Sequence, residues 1–362
     1  LGYAQEHYAY NGAGVKIRTT YLDVDGKTAV WTEGGYAICE NSYDTCGNWL
    51  EGRYYDSQGS LVLRKDTGYA LIRNEYDAYG QTVSQHYYDS GKKPIISTKY
   101  HCAGTGFGYD EKGNEISVWY LGTDGELMVR RDLGYAQEHY EYDDVGNKTV
   151  TAYLDVAGQP AIWKEGGYSV CESDYDPQGN WKESRYYDGE RNLVLRKDEG
   201  YAIAKNEYDE YGQRVSRSYF GTEGEPVIST EYHCAGYRFA YDERGNRILD
   251  QYIGLDGNLM IRHDLGYAQT AYEYDSVGNQ IVKTYLDLEG EPIIWKEGGY
   301  AACKSSYDAK GNLLEECFYD DQGKLVLRKD RGYAAVRNEY DQYGQWVSQY
   351  YYDTEYRAVI ST

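Results

Sequence analysis

A 33-residue pattern runs through this chain without an insertion or a deletion. It places a Gly-Tyr-Ala step at residues 2–4, 35–37 and 68–70, and the step recurs up to residues 332–334. Self-similarity at a fixed period of roughly 20 to 50 residues is typical of repeat proteins, in which each repeat contacts mainly its neighbours. Length alone would suggest about two or three globular domains. The pattern instead predicts a single array of eleven repeats over residues 1–362.

Two turn motifs built on glycine recur through the repeats, although Lys92, Arg191 and Tyr356 take the glycine position of the second motif. The first is Tyr-Asp-x-x-Gly, as at residues 43–47, and the second is aromatic-x-Asp-x-x-Gly, as at residues 54–59. Asp-x-x-Gly is typical of a type I turn closed by a left-handed glycine, which is a common β-hairpin connection. The runs between the turns are rich in Tyr, Val, Ile, Thr and Trp, which favour strands. The sequence therefore predicts an all-β fold with three short strands in each repeat.

Two longer periods are superimposed on the first. Residues 1–5 return at 133–137 and at 265–269, which indicates that 132-residue blocks of four repeats were duplicated. After the second glycine, leucine and proline alternate with a 66-residue period, as at Leu61, Pro94, Leu127 and Pro160. Three strands per repeat would leave successive repeats reversed in an antiparallel meander, so the 66-residue period favours an elongated antiparallel spiral of hairpins. The alternatives are a parallel three-faced β-helix, or an alternation that records only duplication history.

Tyrosine dominates the aromatic residues, with 46 copies against 4 of phenylalanine. A tyrosine ring buries as much apolar area as phenylalanine and keeps a hydroxyl for a polar partner, which suits a thin, repeat-built core. Equivalent residues of successive repeats stack in either predicted geometry. The tyrosines are therefore expected to form long columns.

Tryptophans are the candidate ligand-binding residues. The positions of Ile17 and Val30 are apolar in most repeats, and we expect them to face inward. Neighbouring residues on a strand face opposite sides, so the adjacent tryptophans are expected to face outward: Trp31, Trp163, Trp295, Trp49 and Trp181. Exposed tryptophan beside tyrosine can stack on the apolar face of a sugar ring, and regular spacing suits a polymer. The alternative is that a second sheet, or the inside of the spiral, covers the indoles.

The Tyr-Asp-x-x-Gly-Asn step, as at residues 175–180, resembles that of the YD-repeat proteins of the RHS and teneurin type. The resemblance covers the whole chain, although the 33-residue period and the Gly-Tyr-Ala step diverge from the usual shorter YD unit. It implies a curling β-sheet that forms shells or stalks on secreted or cell-surface proteins.

The formal net charge of −22 opposes binding to nucleic acid, because that affinity depends on neutralising phosphates with lysine and arginine. The sequence contains no run of about 18 apolar residues and no basic-plus-apolar leader, so we expect neither a membrane span nor a signal peptide in this segment. Both ends fall within the repeat lattice, which indicates a piece of a longer protein with targeting signals elsewhere. The sequence leaves self-association open.

Residues of the types used in catalysis or metal binding recur with the repeat, and they do not form a separate candidate site. Cys102 and Cys234 take the tyrosine position of Gly-Tyr-Ala, and we expect them to be small buried side chains. No Cys-x-x-Cys spacing accompanies them, and residues 23–26 echo only part of a calcium loop. No Ser/His/Asp or Cys/His order stands outside the repeat. We therefore predict no catalytic residue, no metal site and no cofactor.

Two functions are consistent with these features. The first is a non-enzymatic structural or adhesive repeat segment of a bacterial-type cell-surface or secreted protein. The second is a carbohydrate-binding array that uses the outward aromatic residues on a polysaccharide. Alanine substitution of Trp31, Trp163 and Trp295 separates them, since lost sugar affinity with an intact fold would support binding.

Overall fold

The computed structural model describes residues 1–361, and within them the chain divides into two compact units. Compact unit 1 comprises Leu1–Glu172 with Tyr186–Asn192. Compact unit 2 comprises Ser173–Arg185 and the described residues from Leu193 onward.

The secondary structure of the described residues consists of β-strands, two to each 33-residue repeat. Ten strands lie in compact unit 1: β1 Gln5–Tyr10, β2 Lys16–Leu22, β3 Ile38–Tyr43, β4 Trp49–Tyr55, β5 Leu71–Tyr76, β6 Thr82–Tyr88, β7 Gly104–Tyr109, β8 Glu115–Leu121, β9 Gln137–Tyr142 and β10 Lys148–Leu154. Two strands have residues in both units: β11 Val170–Tyr175 and β12 Trp181–Tyr187. Ten strands lie in compact unit 2: β13 Ile203–Tyr208, β14 Arg214–Phe220, β15 Gly236–Tyr241, β16 Arg247–Ile253, β17 Gln269–Tyr274, β18 Gln280–Leu286, β19 Ala302–Tyr307, β20 Leu313–Tyr319, β21 Ala335–Tyr340 and β22 Trp346–Tyr352.

Strands that follow each other in the chain pair antiparallel in each compact unit. In unit 1, β5 pairs with β6 through Ile72↔Tyr87, and β6 pairs with β7 through Gln85↔Thr105. In unit 2, β13 pairs with β14 and β14 with β15 in the same way. The all-β antiparallel prediction is confirmed, and the parallel three-faced β-helix is wrong.

The third predicted strand of each repeat is reduced to a single bridge. Tyr55 bridges Leu61 and Tyr88 bridges Pro94, after which the chain enters a turn that precedes the next Gly-Tyr-Ala step. Two strands return the chain to its starting direction, so every repeat within a compact unit runs the same way. The reversal that we inferred from three strands is therefore wrong, and it does not account for the 66-residue alternation.

The turn that joins the two strands has the chemistry that the sequence predicts. The backbone N–H of Gly80 donates to the carbonyl oxygen of Asp77 at 3.2 Å, and Gly80 has a φ of 83°. Asp77 Oδ1 accepts from the backbone N–H groups of Tyr79 and Gln81, which closes an Asx turn. The strand register then shifts by one residue between Glu75 and Tyr76, because a left-handed glycine produces a bulge.

One face of the sheet carries the aromatic and amide side chains, and the opposite face carries most of the charges. Ile72, Asn74 and Tyr87 are buried on the first face. On the second face, Glu51 bonds Arg73 at 2.6 Å. This alternation follows from the two-residue period of a strand.

Candidate functional site

Two tyrosine positions of most repeats interleave to form rows of contacting rings within each compact unit, which we call the aromatic column. One position is the tyrosine of Gly-Tyr-Ala, and the other lies on the second strand of the hairpin. In unit 1 the ring centroids of Tyr36 and Tyr54 are 4.9 Å apart, and those of Tyr69 and Tyr87 are 5.0 Å apart. In unit 2, the centroids of Tyr267 and Tyr285 are separated by 4.6 Å. The predicted tyrosine columns are confirmed.

Where cysteine replaces the tyrosine of the column, a neighbouring tyrosine supplies the ring contact. Cys102 is fully buried, and Tyr100, two residues earlier, stacks on Tyr87 with centroids 5.2 Å apart and planes 10° apart. His101 takes the left-handed position that glycine holds in most repeats, with a φ of 55°. The prediction of small, buried cysteines is confirmed at Cys102 and Cys234, and burial raises the pKa of both thiols. No disulfide joins cysteines within residues 1–361.

The tyrosine of Tyr-Asp-x-x-Gly ties each hairpin to the preceding one. The hydroxyl of Tyr76 donates to the carbonyl oxygen of Trp49, 27 residues earlier, at 2.9 Å. The same bond recurs in both compact units: from Tyr109, Tyr142, Tyr208, Tyr241, Tyr274, Tyr307 and Tyr340. Phenylalanine cannot make this bond, which explains the preference for tyrosine.

A pair of amides extends these ties beneath the column. Asn74 donates to the carbonyl oxygen of Trp49 at 2.8 Å and accepts from Gln85 at 2.9 Å. The hydroxyl of Tyr87 donates to Gln85 Oε1 at 2.6 Å. Each buried polar atom in this chain of bonds has a partner, as a stable core requires.

Three of the predicted site residues form part of the aromatic column. Trp31 packs edge-on against Tyr36 with centroids 5.4 Å apart and planes at 90°. A Cβ atom at Gly34 would lie 2.2 Å from the Trp31 ring, so this glycine makes room for the indole. Equivalent contacts join Trp163 to Tyr168 and Trp295 to Tyr300.

The predicted orientation at these positions is wrong. Val30, expected to face inward, is 40% exposed, whereas its neighbour Trp31 is half-buried against the column. The bridge region does not continue as a regular strand, so the strict alternation on which we based the prediction does not hold there. The sequence signal that we missed was Gly34, whose small size permits the indole to fold back.

The other two predicted site residues, Trp49 and Trp181, lie on strands and are also half-buried. The indole N–H of Trp49 donates to Asn41 Oδ1 at 2.9 Å, and that of Trp181 donates to Ser184 Oγ at 2.7 Å. Stacking of all five tryptophans on a sugar stays a prediction.

Arginine occupies this position in every second repeat, and the repeats between carry tryptophan or serine, so the 66-residue alternation also appears in the aromatic column. The guanidinium carbon of Arg64 lies 4.6 Å from the centroid of the Tyr54 ring, which is a cation–π contact. Asp66, two residues later, accepts from Arg64 Nε at 2.9 Å. A flat cation therefore occupies the place of the indole, and the carboxylate of the same turn neutralises it. This guanidinium also holds the pKa of Asp66 below its usual value, against the effect of burial.

The hairpin turns expose a second set of side chains. At the third position of the Asp-x-x-Gly turn, Tyr79 is 90% exposed and Tyr211, its copy four repeats later, is 81% exposed. A groove of about 870 Å³ lies beside Tyr79, and one of about 590 Å³ lies beside Tyr211. These two turn grooves have corresponding linings: Asp77, Tyr79, Gln81, Tyr109, Asp110, Glu111, Lys112 and Gly113 in unit 1, and Asp209, Tyr211, Gln213, Val215, Phe239, Ala240, Tyr241, Asp242, Glu243, Arg244 and Gly245 in unit 2. From the sequence we interpreted these motifs only as hairpin turns, and we predicted no binding site at them.

The described residues offer neither a metal site nor a membrane-spanning helix. Within residues 1–361, no group of three or more His, Cys, Asp or Glu side chains is arranged to hold a metal ion. In the same residues, no helix has the length and apolar character needed to cross a membrane.

Comparisons with known proteins give only distant similarity. No protein-family model matches the chain, and no curated protein matches it. A crystal structure of TcdB2-TccC3-TEV is similar at 12% identity and a TM-score of 0.35, over 98% of this chain and 21% of that one. TcdB2-TccC3 without its hypervariable C-terminal region gives 12% identity and a TM-score of 0.28, over 94% and 24%. The chain thus spans about a quarter or less of the length of these structures, and TM-scores this low carry no argument about family. The YD-repeat resemblance therefore rests on the sequence motif.

Proposed function

We propose that this chain is a non-enzymatic structural segment of a secreted or cell-surface protein, which supplies length and resistance to unfolding. The observation that supports the proposal is the tie from each hairpin to the one before it, such as the bond from Tyr76 to the Trp49 carbonyl at 2.9 Å. Such ties make the stability of a repeat depend on its neighbours. The side chains that most distinguish this sequence, its tyrosines, are used to hold repeats together.

Pulling on single molecules of the 362-residue segment tests this role. One 33-residue repeat releases at most about 110 to 120 Å of extended chain, less the roughly 10 Å that its two strands span in the sheet. We expect the force–extension trace to show repeated increments of about 100 Å. Continuous extension, of the kind an unstructured chain gives, would refute the proposal.

Carbohydrate binding through tryptophan is the second candidate, and partial exposure of the five indoles is the observation that favours it. The test is alanine substitution of Trp31, Trp163 and Trp295 together, with Trp346→Ala as the matched control because Trp346 is 61% exposed. Loss of sugar affinity with unchanged thermal unfolding would support this candidate. The edge-on packing favours the structural role, so we expect a lower unfolding temperature for the triple variant and little change for the control.

A further inference from the structure

We propose that the two turn grooves, one in each compact unit, bind a neutral polysaccharide chain. This inference goes beyond the structural role, and it places the sugar contact at the turns instead of at the tryptophans.

The closing residue of the turn is glutamine here and asparagine in most other repeats. In the asparagine turns, the side-chain N–H donates to the second carboxylate oxygen of the aspartate, as Asn114 does to Asp110 Oδ2 at 2.8 Å. Gln81 instead reaches the next turn and donates to the carbonyl oxygen of Gly113 at 3.0 Å. Among the described residues, nothing donates a hydrogen bond to Asp77 Oδ2.

The same arrangement recurs in compact unit 2. Gln213 donates to the carbonyl oxygen of Gly245 at 3.1 Å. The backbone N–H groups of the turn donate to Asp209 Oδ1 and not to Asp209 Oδ2. Each groove therefore combines a cross-turn amide, a carboxylate oxygen that is open to a ligand and an exposed tyrosine ring. Both Tyr79 and Tyr211 are followed, one repeat later, by a basic residue at the same turn position, Lys112 or Arg244.

A neutral sugar chain fits this chemistry. The faces of a pyranose ring that carry C–H groups are apolar and stack on an aromatic ring, while carboxylate and amide oxygens accept from its hydroxyls. Each groove is lined by three carboxylates and one basic side chain: Asp77, Asp110, Glu111 and Lys112 in unit 1, and Asp209, Asp242, Glu243 and Arg244 in unit 2. This balance, together with the net charge of −22, repels anionic polymers. The grooves are open and lined by both polar and apolar side chains, unlike the desolvated core of a protein–protein interface.

Affinity electrophoresis of the 362-residue segment tests the proposal. The gels contain a neutral β-glucan, mannan or starch, or anionic alginate as the contrasting polymer, with albumin as the mobility reference. We expect at least one neutral polysaccharide to retard the segment and alginate not to. The double variant Tyr79→Ala, Tyr211→Ala is expected to weaken binding by about two- to tenfold, as loss of aromatic stacking predicts.

Two further variants separate binding from folding. Tyr343→Ala removes a similarly exposed tyrosine from the last such turn of the segment tested, where no following turn completes a groove, and it should leave retardation unchanged. Gln81→Asn with Gln213→Asn restores the asparagine turn, which occupies the open carboxylate, and should abolish retardation without lowering the unfolding temperature. The proposal is overturned if no neutral polysaccharide retards the segment, if only alginate does, or if the paired variants bind as the parent does.

Discussion

Replacing Arg217 with glutamine should stabilise compact unit 2. Arg217 occupies the position that Gln85 has in unit 1, opposite Asn206 in the β13–β14 pair. Its guanidinium lies between 5.1 and 5.4 Å from the centroids of three aromatic rings, those of Trp181, Tyr219 and Tyr232. No carboxylate pairs with it in the part of the chain that the structure describes. Three buried atoms there lack a hydrogen-bond partner: Asn206 Oδ1, Arg217 Nε and the Tyr219 hydroxyl.

The magnitude follows from the copies of this site. In unit 1, Gln85 donates a hydrogen bond to Asn74 and accepts one from Tyr87. In unit 2, Gln349 likewise donates to Asn338 and accepts from Tyr351. Glutamine at position 217 would therefore satisfy two buried groups, each worth about 1 to 3 kcal/mol when left unpaired. The loss is three cation–π contacts of about 1 kcal/mol each. We expect a net gain of about 1 kcal/mol or somewhat more, since the charge no longer has to be desolvated.

The assay is urea unfolding of the full segment, combined with hydrogen exchange of the β13–β14 amides, because a repeat protein need not unfold in one step. Arg217→Met is the matched control, since it removes the charge without supplying either hydrogen bond. We expect Arg217→Gln to raise the unfolding midpoint and slow exchange in this hairpin, and Arg217→Met to do so less or not at all. A glutamine variant less stable than the parent, or no more stable than the methionine variant, would refute the reasoning.

Three other outcomes are expected. Tyr76→Phe should cost about 1 kcal/mol of unfolding free energy because the hydrogen bond from this hydroxyl to the Trp49 carbonyl is lost, whereas Tyr10→Phe, at an exposed copy of this position, should change the urea midpoint little. Glu138→Gln should cost about 2 kcal/mol, since this carboxylate accepts from the hydroxyls of Tyr120, Tyr135 and Tyr140; a thermal melt that matches the parent would contradict this. Burial raises the pKa of column tyrosines such as Tyr54, Tyr87 and Tyr219 above the usual value near 10, so folded phenols keep their protons where unfolded ones ionise. Stability is then fully present below about pH 10 and falls as the pH rises above it, and a denaturation midpoint that is flat up to about pH 11 would oppose this.

The sequence predicts strand type and turn type well because both depend on local chemistry. Asp77 and Gly80 specify their turn through bonds that span four residues, and seven-residue runs of β-forming residues cannot bury a face in any other way. The tyrosine columns were predictable for a similar reason, since identical residues at a fixed period must stack.

What failed was the prediction of side-chain direction outside regular strands. Val30 and Trp31 lie where the chain makes only an isolated bridge, so successive side chains there need not point to opposite faces of the sheet. The count of three strands failed for the same reason. The turn groove beside Tyr79 could not be seen in the sequence either, because it forms between turns one repeat apart and depends on where Gln81 extends.

The ties between hairpins bear on how this sequence can change. Tyr76 reaches back 27 residues, Asn74 reaches back 25, and Gln81 reaches forward 32. A residue inserted between Trp49 and Asn74 would displace two of these partners at once, and one inserted between Gln81 and Gly113 would displace the third, whereas a substitution disturbs only the bonds of one side chain. Mutation can therefore alter the composition of a repeat far more readily than its length, and new sequence is gained most safely as whole repeats. This difference between substitution and insertion explains why the eleven repeats differ in sequence and yet all keep the same length.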